Sequence, residues 1–213
     1  MTVEFAVLAI SERTFLDWAD AIGVPIIVVV IAGIFVLVAQ KAGERAETDR
    51  ELQLDRTREE TLRSYLDRIS DLVLERSLIE SAADSPERAI ALARTRNALN
   101  TLDGPRKGLL VRFLNESRLI RNGHTVIPLF STDLTSIDLS GAVLRGCDFS
   151  GANSSDADLY NADLSECNLE HCVLTNEQLA QCAQLSGAIL PNGDLATEQS
   201  LKQLQIEDLE RWS

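Results

Sequence analysis

Aromatic residues are scarce in this chain of 213 residues, at 5% of the total, so any core must be aliphatic. The four cysteines show no CxxC spacing, which points to neither a zinc site nor a disulfide framework. No basic segment precedes the first long apolar run and no small-residue cleavage site follows it, so a secretory leader is not expected. Lys107 follows Gly104, but the glycine spacing of a phosphate-binding loop is missing, so no nucleotide site is expected there. Basic residues thin out toward the C-terminus. Of the net charge of −13, Met1–Gly23 carries −3, Val24–His124 carries +1 and Thr125–Ser213 carries −11. An acidic half repels phosphate, which argues against direct nucleic-acid binding. Between Ile127 and Leu174 neither the helical period of 3.6 nor the strand period of 2 is present.

What is present there is a period of five. Counting from Leu129 gives Leu134, Leu139, Leu144, Phe149, Ser154, Leu159, Leu164, Leu169 and Leu174, and only Ser154 is not large and apolar. Two residues before most of these sits a small one: Ala142, Cys147, Ala152, Ala157, Ala162, Cys167 and Cys172. Asp, Asn, Ser, Gly and Thr fill the remaining places. One large and one small buried residue per fixed unit describes a stacked solenoid, in which each unit buries its face only against its neighbours.

Segments such as Ala157-Asp158-Leu159 in this phase resemble the pentapeptide-repeat proteins. The resemblance implies a right-handed, four-sided β-helix with twenty residues per coil, the centre residue and the one two before it pointing inward. Stretches before the repeats, Tyr65-Leu66-Asp67-Arg68-Ile69-Ser70 and Leu102-Asp103-Gly104-Pro105-Arg106-Lys107-Gly108 among them, resemble the region between span and repeats in membrane-anchored bacterial members of that family.

The remaining chain is consistent with that organisation. Residues 1–20 form an extracytoplasmic segment with Trp18 suited to a membrane interface, and Ala21–Ala39 is an uncharged run of 19 residues. At about 1.5 Å per residue it matches the ~30 Å hydrocarbon core, and a chain this small has nothing else to bury it on all sides. Lys41, Arg45 and Arg50 follow the run whereas only Arg13 precedes it, so the positive-inside rule places the rest in the cytoplasm of a bacterial inner membrane. Residues 40–83 read as a helical stalk whose stripe Leu62, Tyr65, Leu66, Ile69, Leu72, Val73 needs a partner; the following helices fit better than a coiled coil. Residues 84–124 read as a helical cap. Ser85-Pro86 starts one helix, ending near Leu102, and Asp103-Gly104-Pro105 starts a second with Leu109, Leu110, Phe113 and Leu114 on one face. The repeats occupy 125–193, interrupted after Thr175-Asn176-Glu177-Gln178, which has the form of a capping box opening a helix to about Ala183. Residues 194–213 close the chain, with Ala196–Trp212 as a loose amphipathic helix that either covers the end of the coil or meets a partner. The expected fold is therefore mixed: a transmembrane helix, a helical stalk and cap, and a short β-helix.

His171 beside Cys172, with Cys167 and Glu170 close by, is the only constellation that invites a nucleophile or a metal site. The phase argues against it, because Cys147, Cys167 and Cys172 fall in the small inward slot while His171 points outward. No catalytic residue, cofactor or metal is expected, and no enzyme. The outward acidic residues Asp133, Asp138, Asp148, Asp158 and Asp163, and the apolar Leu201, Leu204 and Trp212, are the candidate interaction surface. The expected function is a membrane-tethered scaffold or protein-interaction module, with a protein partner and possible self-association. The alternatives are a DNA mimic, as the resemblance to gyrase-protecting pentapeptide proteins allows, or an accessory subunit of a membrane complex. A rod of about three coils at ~4.8 Å is short for a DNA mimic. Ser154 is expected to face inward between Leu134 and Leu174, beside an underfilled volume, with its hydroxyl bonded to a neighbouring carbonyl.

Overall fold

The computed structural model describes residues 24–75, 78–121, 123 and 125–197. Every fifth backbone position from 131 to 171 adopts positive φ: Ser131, Ser136, Gly141, Gly146, Gly151, Asp156, Asn161, Glu166 and His171. Each such residue turns the chain, and glycine or a short polar residue does so at least cost. The carboxylate or amide oxygen two residues after the turn supports the next one, for Asp133, Asp138, Asp148, Asn153, Asp158, Asp163 and Asn168 each accept the backbone N–H two residues on. Regular corners close the chain into a four-sided coil. Its rungs are parallel bridges twenty residues apart: Asp133 with Asn153, Asp138 with Asp158, Val143 with Asp163, Asp148 with Asn168 and Asn153 with Val173.

These bridges stay isolated among the described residues and do not merge into strands. A corner every five residues leaves room for one bridging residue per side, which is why no side reads as a conventional strand. The expectation of sheet-like elements is corrected to that extent, whereas the inward register holds. Leu134, Leu139, Leu144, Phe149, Leu159, Leu164 and Leu169 are buried, as are Ala142, Cys147, Ala152, Ala157, Ala162, Cys167 and Cys172. The last coil is one residue longer, since Asp163 bridges Gln184 and Asn168 bridges Ile189. A short helix is inserted there, and it ends at Ala180 rather than near Ala183. The chain then folds back antiparallel, Leu195 against Ile189, with Gly187 N–H donating to Ala196 O.

The chain divides into two units, Met1–Asp55 and Arg56–Ser213. Helix α1 covers Val24–Glu75, α2 Pro86–Thr101, α3 Gly104–Glu116 and α4 Asn176–Ala180. Among the described residues no helix is long and apolar enough to cross a membrane. The expected span Ala21–Ala39 lies outside that statement, because residues 21–23 are not described and 24–38 are described as backbone only. In the second unit Leu62, Tyr65, Ile69 and Leu72 of α1 are buried, and the Tyr65 hydroxyl lies 2.7 Å from Thr95 Oγ1 of α2. The stripe therefore found its partner in the following helices. Ser85 caps α2 and Asp103 caps α3, each accepting the N–H three residues on. Asp103 and Glu59 also hold Arg106, at 2.6 and 3.4 Å, which ties the start of α3 to α1.

Helix α3 sits on the first coil. In the repeating pattern each coil takes N–H donors from the coil before it, as Asn153 O and Ser155 O do from Leu134 and Ser136. The first coil has no predecessor, and α3 supplies the missing partners. Lys107 Nζ donates to Thr135 O (3.1 Å), Arg112 Nη2 to Ser140 O (2.7 Å) and Asn115 Nδ2 to Val143 O (2.8 Å), while Asp138 N–H donates to Gly104 O (3.1 Å). The expected apolar face is corrected. Leu110 and Leu114 are buried, Phe113 is half-buried, and Leu109 is exposed because the face against the coil is made by Gly104, Lys107, Gly108, Val111 and Asn115 instead. Gly104 is the first helical residue of α3, and a Cβ on it would lie 1.9 Å from Ser136 O.

Ser154 does face inward, at 7% exposure, in the column of Leu134 and Leu174. Its hydroxyl does not bond a neighbouring carbonyl among the described residues. The Ser154 carbonyl instead accepts Gln178 Nε2 at 3.2 Å, and the same amide donates to Ala157 O at 2.9 Å. Leu174 beneath it is only half-buried, because the chain leaves the coil there to enter α4.

Candidate interaction surface

The outward positions of the coil carry the acidic residues expected of them, with different degrees of exposure. Asp133 and Asp158 are exposed, while Asp138, Asp148 and Asp163 are half-buried. Each spends an oxygen on its own turn. The Thr135 hydroxyl and backbone N–H hold Asp133 below the usual carboxylate range, and those of Ser140 do the same for Asp138. Partial burial would raise Asp163, but the Ser165 hydroxyl, the Ser165 N–H and nearby Arg145 together outweigh it and its value is also lowered. These carboxylates are therefore structural parts of the corners, and only their remaining oxygens face outward. Leu201, Leu204 and Trp212 lie outside the described residues.

The acidic residues alternate with apolar ones that the sequence pattern did not single out. Val143, Tyr160 and Val173 occupy outward positions and are each more than half exposed. Reading only for charge hides them, although the five-residue count already places all three outside.

The thiols carry no chemistry of their own. Cys147, Cys167 and Cys172 are free and buried, and Cys182 is free and half-buried. Burial pushes Cys147 and Cys182 up to about 12 and Cys172 up to about 11, and it raises Cys167 as well, so all four remain protonated at neutral pH. Cys167 Sγ donates to Leu144 O and Cys172 Sγ to Phe149 O, the centre carbonyls one coil up. His171 is at a corner with its side chain 80% exposed and Nε2 3.7 Å from Glu170 Oε1, while the neighbouring Cys172 thiol is engaged with Phe149 O. Among the described residues no group of three or more His, Cys, Asp or Glu is placed to hold a metal.

A four-sided coil with a five-residue corner, small and large inward residues, and a helical cap defines a class of repeat protein. Residues 137–176 match the family model described as Pentapeptide repeats, in 8 copies. That match supports pentapeptide repeats over those residues, for which a β-helix is implied. No curated protein and no solved structure matches the chain.

Proposed function

We propose that this chain is a non-enzymatic protein-interaction module, tethered to the bacterial inner membrane by Ala21–Ala39 and presenting its acidic coil to the cytoplasm. The observation that carries the interaction reading is the coil itself. Its corners and rungs fix outward side chains on a rigid frame, capped by α3, while the three thiols of the repeats, Cys147, Cys167 and Cys172, are withdrawn into the core. A surface held in this way costs little ordering entropy when a partner docks. The membrane tether is supported by the length of the uncharged run and by the basic residues that follow it.

Two experiments test the two halves of the proposal. A reporter fused after Ser213 is expected to be active only as a cytoplasmic type, and accessibility of that end from the outer face would overturn the tether's orientation. Pull-down of the full chain from detergent-solubilised membranes is expected to bring down a stoichiometric protein partner. Recovery of the bare chain across repeated detergents would overturn the module.

A further inference from the structure

The rungs of the coil follow one rule; among the described residues the side of Leu159 keeps only the Asn161 N–H to Gln181 O bond, and the side before it, at Ser154, keeps neither. Along each complete side the N–H of the centre residue and the N–H two residues later donate to carbonyls of the next coil, themselves two residues apart. Leu134 and Ser136 donate to Asn153 O and Ser155 O, and Leu164 and Glu166 donate to Gln184 O and Ser186 O. One coil below Leu134 and Ser136, the equivalent donors are Ser154 and Asp156, and the equivalent acceptors are Val173 O and Thr175 O. Neither bond forms. Val173 N–H still donates to Ala152 O, but Leu174 N–H turns back to Cys172 O and Thr175 becomes the cap of α4. Among the described residues Ser154 N–H, Asp156 N–H and the Ser154 hydroxyl find no acceptor, although Ser154 is nine-tenths buried. Where the two walls part, a groove of about 450 Å³ opens, lined by Ser155, Asp156 and Ala157 on one side and Val173, Leu174 and Thr175 on the other, with Gln178 at its end.

We infer that this seam receives a short extended segment of a partner protein, basic at its flanks, which completes the interrupted side by accepting hydrogen bonds from Ser154 N–H and Asp156 N–H. The inference rests on the interaction-module reading and names the form of its partner. Carbonyls two residues apart on one edge of an extended peptide have the spacing these donors use one coil earlier, where Asn153 O and Ser155 O occupy it. The groove's Leu174, Val173 and Ala157 offer an apolar wall for one or two small side chains. Charge selects the flanks. Asp156 lines the groove, and Arg145 is the only Lys or Arg between Thr125 and Thr197. The chain's own end, Glu198–Ser213, carries net negative charge and is disfavoured as the occupant.

Amide-resolved hydrogen exchange on the full chain in detergent tests this, with synthetic heptapeptides of one Val-Ser-Val centre flanked by lysine or by glutamate as probes. In the free chain the Ser154 and Asp156 amides are expected to exchange more than about a hundredfold faster than those of Leu134 and Ser136. The lysine-flanked peptide slows both and binds about tenfold tighter than the glutamate-flanked one, a gap that narrows in Asp156→Asn. Ser155→Tyr fills the groove and abolishes the effect while leaving Leu134 and Ser136 protected. It is a tolerable change, since Tyr160 holds the same repeat position one side on. Two results would overturn the inference: protected Ser154 and Asp156 amides that are freed by removing Glu198–Ser213, or peptides of either kind that leave their exchange unchanged. A membrane partner captured equally by the native chain and by Ser155→Tyr sinks the groove and leaves the module standing, whereas absence of any partner sinks the module.

Discussion

Gly108→Ala is the substitution on which helix propensity and tertiary fit disagree in sign. In an exposed helix interior the change stabilises by about 1 kcal/mol. Gly108 lies in the middle of α3, but a Cβ there would fall 1.9 Å from Asp138 O and 2.9 Å from its carbonyl carbon. Both are backbone atoms of a bridged rung and cannot rotate aside. Reaching an ordinary contact of ~3.5 Å requires α3 to lift by roughly 1.5 Å. That lift breaks the geometry of the Lys107–Thr135, Arg112–Ser140, Asn115–Val143 and Asp138–Gly104 hydrogen bonds, which are 2.7–3.1 Å long. Losing two or three at about 1 kcal/mol each, with overpacking strain of about 1–3 kcal/mol and the propensity gain of about 1 kcal/mol set against them, gives a net loss of roughly 2–5 kcal/mol. Gly104→Ala meets Ser136 O at the same 1.9 Å and should behave alike. Urea unfolding of the full chain in mild detergent, followed by circular dichroism, reads the midpoint, with Asn100→Ala on the exposed face of α2 as the helix-propensity control. A Gly108→Ala midpoint equal to or above the native one would refute the seating of α3 on the coil, and with it the account of how the open end is closed.

Three further outcomes follow from the corners. Asp138→Asn should change stability little, because Asn153 and Asn168 accept the same N–H in the same repeat position, whereas Asp138→Ala should cost about 1 kcal/mol in the unfolding midpoint. His171→Gly relieves a φ of +60° at a side chain that is mostly solvent-exposed, and a midpoint raised by about 0.5–1 kcal/mol is expected; a lowered one would deny that the corner is strained. Asp133, Asp138 and Asp163 have folded-state values below the ordinary 3.8, so their contribution is present above that pH and is lost as pH falls through the lowered values. Acid titration of the unfolding midpoint should therefore decline below about pH 4, less steeply in the triple Asp→Asn variant; an unchanged slope would show that these carboxylates are not coupled to folding.

The five-residue register was legible because it is a local rule: each corner, inward residue and turn-capping carboxylate is specified within a few neighbours in the chain. The inward cysteines, the outward His171 and the burial of Ser154 all follow from counting. The face of α3 was not legible. Helical patterning rewards Leu109 and Phe113, but the coil's first edge needs hydrogen-bond donors and close approach, so Gly104, Lys107, Gly108 and Asn115 face it and Leu109 is turned out. Those contacts join residues 28 apart, Lys107 to Thr135, Arg112 to Ser140 and Asn115 to Val143, and no period within either segment announces them.

The two ends of the coil pose the same physical problem, and the chain solves it unequally. An open end exposes backbone groups that the repeat would otherwise pair, and leaving them unmet inside a groove costs more than meeting them with side chains. At the first coil α3 meets them with a lysine, an arginine and an asparagine. At the last coil the fold-back of Leu195 covers one side and the Gln178 amide substitutes for part of a second, donating to Ser154 O and Ala157 O. The side of Ser154 and Asp156 is left with donors and no acceptor among the described residues. Ser154 is also the one centre position without a large side chain, so the break in the sequence pattern and the break in the hydrogen-bond pattern fall on the same residue. A defect confined to packing would leave the backbone rungs intact, and a mere loop-out would shift the count at Leu159, which stays buried in phase. Both breaks fall where the chain leaves the coil to enter α4, and a partner segment of the kind inferred above would supply the acceptors that this departure removes.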